Sequence, residues 1–325
     1  MSDTPTPLFL TARGTEQLRP WTVSYTQLSL VESCQRKWWF KYVKQLPDPT
    51  GAGAAFGSKL HALAEKYITE GADLTDDRIG KLIRLSANRG YIPTHSNFLA
   101  ADGKILIEHK FKALIGHGVD AIPLTGAVDI LDVSSPQRVY VGDHKTGKSL
   151  KYVKNEVQLS LDQQLSIYLK VAVDEHYGGK PPPVLAASHI VYLSEGPLHV
   201  ERVGPVSIPW KQVHDTWSGI EKQVPVIRGL AAETSVNRIP GNRARCSDYG
   251  GCPFRDVCHA TLDSTSYFST PSTTNITTVS KKEDMSNQDP PNTAGLPDYL
   301  QKLQALRNRN APGGMNPGGR TAAPA

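Results

Sequence analysis

The sequence predicts an α/β fold with a central mixed sheet flanked by helices, and three observations carry that expectation. Residues 104–115, 125–133 and 138–145 form three successive runs rich in Val, Ile, Leu and Tyr, a content suited to strands. A helical pattern over 157–177 then leads into two further strand-like runs, 184–193 and 198–203, with a hairpin turn expected at Glu195-Gly196-Pro197. Helical patterns also precede this region, from Ser24 onward, and follow it over 210–232.

The first twenty residues are polar and rich in Pro and Thr, and are expected to form an arm. Ser24-Tyr25-Thr26-Gln27 has the form of a capping box, so a helix should start there. It should run through Cys34 and the basic-aromatic stretch Arg36-Lys37-Trp38-Trp39-Phe40-Lys41-Tyr42, ending before Pro47. Residues 51–57 read as a small-residue loop, followed by helices over 58–70 and 76–88. Residues 243–260 form a compact segment bearing three cysteines, and the folded part should span 21–262. From 263 to 325 the composition shifts to Ser, Thr, Asn, Pro and Gly, too little apolar surface to order a chain, so a disordered tail is expected. Within it, 296–309 has apolar residues at helical spacing, either a transient surface helix or a segment that folds onto a protein partner.

The bulk numbers narrow the class. A chain of 325 residues can bury a core without staples, and 39% hydrophobic with 21% charged residues is ordinary for a globular protein. Lys and Arg number 36 against 31 Asp and Glu, a net charge of +5 that is compatible with nucleic-acid binding and weak evidence for it. No apolar run reaches about 18 residues, so no membrane span is expected, and the first ten residues lack a secretory pattern. The expected compartment is cytoplasmic and reducing, where four cysteines read better as metal or cluster ligands than as disulfides.

The chemistry concentrates between Gly126 and Lys145. Asp129 lies inside one apolar strand, and Asp143-His144-Lys145 ends the next. Side chains alternate along a strand, so Asp143 and Lys145 share a face and His144 points away. If the two strands pair antiparallel, two carboxylates and a lysine converge. That set suits phosphodiester hydrolysis: hard oxygen ligands hold Mg²⁺ or Mn²⁺, which polarises the phosphate and activates water, and an ammonium offsets the developing charge. The bland alternative is two strand-ending acids and a solvated lysine. His61 opens a helix after Gly57, with Glu65 one turn on, and can supply a nitrogen ligand to the same ion. Gln164 and Tyr168, four apart on a helix, share a face and can grip the substrate strand.

Taken in order, Gly57-x-x-x-His61, Gly126-x-x-Asp129, Asp143-x-Lys145 and Gln164-x-x-x-Tyr168 resemble the RecB-like branch of the PD-(D/E)XK nucleases over roughly residues 20–260. Each motif is weak alone; the ordered set is specific. The resemblance implies a restriction-endonuclease-like core in which His61, Asp129, Asp143 and the backbone carbonyl of His144 bind the metal. It further implies Asp129, Asp143 and Lys145 as catalytic residues and Gln164 with Tyr168 as the substrate-binding pair. DNA is the implied partner, and exonucleolytic trimming of single strands or DNA ends the implied activity, in recombination, replication, repair or CRISPR adaptation in a bacterial or phage-infected cell. The alternative is a catalytically silent DNA-binding or adaptor subunit of the same fold, against which the intact Asp129, Asp143 and Lys145 argue.

One early cysteine, Cys34, and three late ones, Cys246, Cys252 and Cys258 in C-x5-C-x5-C spacing, bracket this core. The arrangement resembles the CRISPR-associated iron–sulfur exonucleases and the AddB nuclease domain, which implies a 4Fe-4S cluster clasping the two ends of the domain. The first late gap is longer than in those families and contains Gly250-Gly251, which a loop can absorb. Zinc on the four thiolates, and four unrelated free cysteines, are the competing readings. Most of the aromatics beside Cys34 are expected in the core, with Arg36, Lys37 and Lys41 turned toward the DNA backbone.

Overall fold

The computed structural model describes residues 9–11, 18–20, 22–48, 52–248 and 251–259. The tail 263–325, its helix expected at 296–309 and most of the arm 1–20 lie outside the described residues. A short antiparallel pair, β1 (Phe9–Thr11) and β2 (Leu18–Pro20), precedes helices α1 (Tyr25–Ser33) and α2 (Gln35–Tyr42). Next come α3 (Ala52–Glu70), α4 (Arg78–Asn88) and α5 (His95–Ala100), then strands β3 (Ile105–Ile115), β4 (Ile122–Ser135) and β5 (Arg138–Gly147). After α6 (Glu156–Ser160) and α7 (Gln163–Tyr177) follow β6 (Val184–Leu193), β7 (Val200–Ser207), α8 (Trp210–Glu221) and α9 (Val224–Ala232).

Strands β3 to β7 form one five-stranded sheet in sequence order. All neighbours are antiparallel except β5 and β6, which run parallel and are joined by the crossover through α6 and α7. The sheet is therefore mixed, as expected, and helices cover both faces. On one face, Leu131, Val141 and Leu185 pack with Leu165 and Leu169 of α7 and with α1, α2, α8 and α9. On the other, Ile130, Ile190 and Tyr192 pack with Leu60 and Ile68 of α3 and Leu82 of α4. The hairpin between β6 and β7 is held by Arg78, whose guanidinium donates to the carbonyls of Leu193, Glu195, Gly196 and Pro197.

The helices depart from expectation where tertiary contacts decide. The helix expected to run from Ser24 to Tyr42 breaks at Cys34, which is extended (φ −163°, ψ 103°). No Pro or Gly forces this. Beyond the break, the Arg36 amide donates to Pro240 O and its guanidinium to Ile239 O at 2.7 Å, drawing α2 onto the C-terminal segment. Ser24 does cap α1, but the Gln27 side-chain nitrogen donates to Thr22 O and its Oε1 does not accept the Ser24 amide, so the capping box is half-made. The loop expected at 51–57 is instead the first turn and a half of α3. Gly57 has a packing reason to be in that helix: a Cβ there would stand 3.2 Å from Thr146 Oγ1 of β5. The helices expected over 157–177 and 210–232 each divide in two, the first where Asp162 caps α7 and the second just ahead of Pro225, at the start of α9.

Gly126 shows the same logic within the sheet. It lies opposite Phe111 across β3 and β4, and a Cβ would meet the ring at 2.7 Å. Phe111 in turn stands edge-on to Tyr168 of α7, with centroids 5.9 Å apart. Gly126→Ala should cost ~1–3 kcal/mol by forcing the ring aside. The urea midpoint should fall accordingly, and combining the change with Phe111→Leu should recover part of the loss.

Candidate functional site

The site forms where β3, β4 and β5 meet the first half of α3. Cross-strand register pairs Ile107 with Ile130 and His109 with Val128 but omits Glu108, whose φ of +48° lies in the left-handed region. A residue with a side chain held there costs ~1–3 kcal/mol. The departure coincides with a hydrogen bond: Glu108 Oε1 is 3.0 Å from His61 Nδ1 on α3. Asp129, buried in β4, places Oδ1 3.5 Å from the same nitrogen, and its Oδ2 accepts the backbone N–H of His144 at 2.6 Å. His61, Glu108 and Asp129 thus offer three donor atoms within 4.8 Å of one another, a candidate divalent-metal group.

Strand β5 runs antiparallel to β4 and carries Asp143, His144 and Lys145. The alternation expected from the sequence holds. Lys145 Nζ is 2.5 Å from Asp143 Oδ2, while the His144 ring turns to the other side. There it stands edge-on to His61 and places Nδ1 3.1 Å from the Tyr192 hydroxyl. Lys145 also donates to Gln164 Oε1 at 2.8 Å, and Gln164 Nε2 donates to the Tyr168 hydroxyl at 2.7 Å. Asp143, Lys145, Gln164 and Tyr168 therefore form one continuous polar chain. Tyr168 is only 5% exposed, so its hydroxyl acts chiefly on Gln164. Glu65 is exposed.

Behind the site, the chain buries a second polar layer that sequence reasoning missed. His189 of β6 pairs with Asp143 in register and places Nε2 3.6 Å from its carboxylate and 3.7 Å from that of Asp162. Asp162 caps α7 and is ion-paired with Lys154. Glu108 was missed as well. An acid in a half-buried strand reads as solvent-facing, and the available signal was its place in the strand before Gly126-x-x-Asp129.

Burial dominates the electrostatics. Burial and the Asp143 charge push the Asp129 carboxyl up to about 8, against the opposing pull of His61 and of the His144 amide. Burial lowers His144 to about 3, aided by His61 and Lys145, so its ring is neutral. Burial lowers His61, but the Glu108 hydrogen bond and the Asp129 charge outweigh it and its pKa rises. Burial likewise opposes the charge on Lys145, and Asp143 overcomes it, so the ammonium is held protonated.

All four cysteines line one cavity of about 270 Å³, together with Arg36, Lys37 and Phe40. The Asn242 amide donates to Cys34 Sγ at 3.4 Å and Arg36 Nη1 to Cys258 Sγ at 3.6 Å. Gly251, at φ +110°, takes a conformation closed to other residues, and the Cys252 amide returns to Cys246 O at 2.9 Å. Among the described residues, no three of the four sulfurs lie within 4.8 Å of one another. Trp38, Trp39 and Phe40 are all buried, as most were expected to be. Arg36 departs from the expected role on DNA, being buried against Ile239, while Lys41 pairs with Asp48 at 2.5 Å.

A pH dependence follows. An unfolded aspartate titrates near ~3.9. Between there and about 8, folded Asp129 keeps a proton that the unfolded chain has lost, so metal-free stability should fall as pH rises through that window. The raised His61 acts in the same sense, its contribution being lost as pH rises through its folded pKa. The limiting slope is ~1.4 kcal/mol per pH unit for each group. Denaturant titrations in EDTA from pH 4.5 to 8 should show the decline, and Asp129→Asn should flatten most of it.

Among curated proteins, none matches this chain. Several solved structures resemble it, among them the following two. SSO0001 shares 15% identity at a TM-score of 0.40, over 76% of this chain and 91% of that one. A protein named "Putative exonuclease" from Eubacterium rectale shares 10% identity at a TM-score of 0.42, over 70% and 86%. The profile of the PD-(D/E)XK nuclease superfamily matches residues 22–259. That span takes in every site residue and all four cysteines, and the chain accordingly belongs to the PD-(D/E)XK nuclease superfamily.

Proposed function

We propose that this nuclease is a RecB-like, divalent-metal-dependent deoxyribonuclease that trims DNA strands from their ends. The observation that carries the reading is the contact between Lys145 and Asp143 at 2.5 Å, beside the His61, Glu108 and Asp129 donors. Superfamily members use divalent metals, and the donors here fit one: carboxylates for a hard cation, with one imidazole, a mixture that Mn²⁺ accepts more readily than Mg²⁺. Asp129, Asp143 and His61 would hold it with the backbone carbonyl of His144, and Glu108 joins them. When bound, such an ion polarises the scissile phosphate and makes a coordinated water acidic.

The remaining work falls to the chain's own groups. Lys145, kept charged by Asp143, presents a fixed ammonium to the phosphate as negative charge grows on it. Gln164 accepts a hydrogen bond from that ammonium and is the member of its pair that can reach a strand, with Tyr168 acting through it. End-labelled single- and double-stranded DNA should lose label in Mn²⁺ with wild-type protein. Lys145→Ala should slow the loss by roughly 10²–10³-fold. Binding without cutting, equal in both proteins, would favour an adaptor subunit.

We also propose a 4Fe-4S cluster on Cys34, Cys246, Cys252 and Cys258. A single zinc ion draws sulfurs to about 2.3 Å from itself, closer together than these stand, whereas a cluster needs a roomy cavity with N–H groups aimed at sulfur. The nearby Arg36 and Lys37 suit an anionic cluster. Protein purified without oxygen should contain iron and sulfide in equal amounts, and Cys246→Ser should lose both. Zinc in place of iron would overturn this assignment.

A further inference from the structure

We infer that Tyr152, on the segment between β5 and α6, is a stacking platform for an unpaired base of single-stranded DNA entering the site. The inference rests on the reading of Asp129, Asp143 and Lys145 as the hydrolytic group, and it names the form of nucleic acid that group receives.

The topology places this loop at the site. Strands β5 and β6 are parallel, and the loop leaves the carboxyl end of β5, where open α/β sheets hold their ligands. Both of its ends are anchored there. Lys145, two residues before the end of β5, bonds Gln164 in the first turn of α7 at 2.8 Å. Lys154 pairs with Asp162, in the polar layer behind Asp143. At the far side, Lys148 reaches Glu195 of the β6–β7 hairpin at 2.7 Å. The loop is therefore fixed as a rim of the site.

What the rim displays is unusual for this chain. Of ten large apolar side chains exposed among the described residues, three fall within eight positions: Leu150, Tyr152 and Val157. Tyr152 is 80% exposed and is the one aromatic of the ten. A ring left in water forgoes ~1.5–3 kcal/mol of burial, so the position gains nothing for the fold. Lysines recur at 148, 151 and 154, and the Lys151 ammonium lies 5.4 Å from the Tyr152 ring centroid. An open ring beside a cation is the pairing that binds single strands, the ring meeting a base and the cation its phosphate. Bases within a duplex already stack on one another and present no free face, so the platform selects unpaired DNA.

The test uses the full chain in EDTA, where nothing is cut. A single-stranded oligodeoxynucleotide carrying 2-aminopurine and a blunt duplex of the same sequence are titrated with wild type, Tyr152→Ala and Tyr152→Phe. Tyr152→Ala should weaken single-strand binding about tenfold and abolish quenching of the fluorescent base, while Tyr152→Phe stays within about twofold of wild type. Duplex affinity should not change. Any of four results would overturn the inference: single-strand binding indifferent to Tyr152→Ala, single-strand binding absent in wild type, an equal loss on duplex, or a Phe variant as weak as Ala. The hydrolytic reading is scored separately by digestion in Mn²⁺. Tyr152-dependent binding without digestion leaves the platform standing and removes the nuclease site, and digestion with Tyr152-independent binding does the reverse.

Discussion

Taking a carboxylate out of water costs several kcal/mol unless charge and hydrogen bonds replace the lost hydration, and this chain buries Asp129 and Asp143 on adjacent strands. Much of the neighbouring architecture answers that cost. The His144 amide and His61 face Asp129, and Lys145 faces Asp143. His189 and the Asp162–Lys154 pair extend the compensation one layer deeper. Helix α3 lies close against β5, and Gly57 allows the approach that brings His61 over the strands. The unfavourable backbone of Glu108 contributes through His61: its carboxylate meets the same ring nitrogen that faces Asp129 and favours the charged imidazolium there. Burial and the Asp143 charge still disfavour ionisation of Asp129.

The strands were legible because their signal is local. The runs at 104–115, 125–133 and 138–145 became β3, β4 and β5, and the period of two that aligned Asp143 with Lys145 holds in space. The spacing of four that aligned Gln164 with Tyr168 holds as well, on α7. What escaped depends on distance along the chain. The break at Cys34 is made by contacts with residues 239 and 240, more than two hundred positions away, and no local preference encodes it. The glycines at 53 and 57 read as a loop by composition, although α3 runs through both and Gly57 serves its packing against β5. Glu108 and His189 each look ordinary in their own strands and acquire meaning only from the strand beside them.

Two further residues show how the fold turns sequence neighbours onto one wall. Arg36 and Cys34 sit two positions apart, yet both meet the C-terminal segment: Arg36 is buried against Ile239, Cys34 Sγ accepts the Asn242 amide, and both line the cysteine cavity. The extended residue at the break makes this possible, because side chains two positions apart on a continuous helix point roughly 200° from each other. The segment thus serves both as hydrophobic core, through Trp38 and Phe40, and as one wall of the sulfur-lined cavity.

That wall has a consequence for the order of events during synthesis. Arg36 and Cys258, in contact in the finished protein, are 222 positions apart in the chain. At ~5–20 residues per second, a ribosome takes roughly 10 to 45 s to make the second after the first. Throughout that interval the break at Cys34 has no partner to hold it, and the thiol waits in a nascent chain for three others. The sheet and its acidic pair can assemble first, while closure of the cysteine cavity must be among the last steps of maturation.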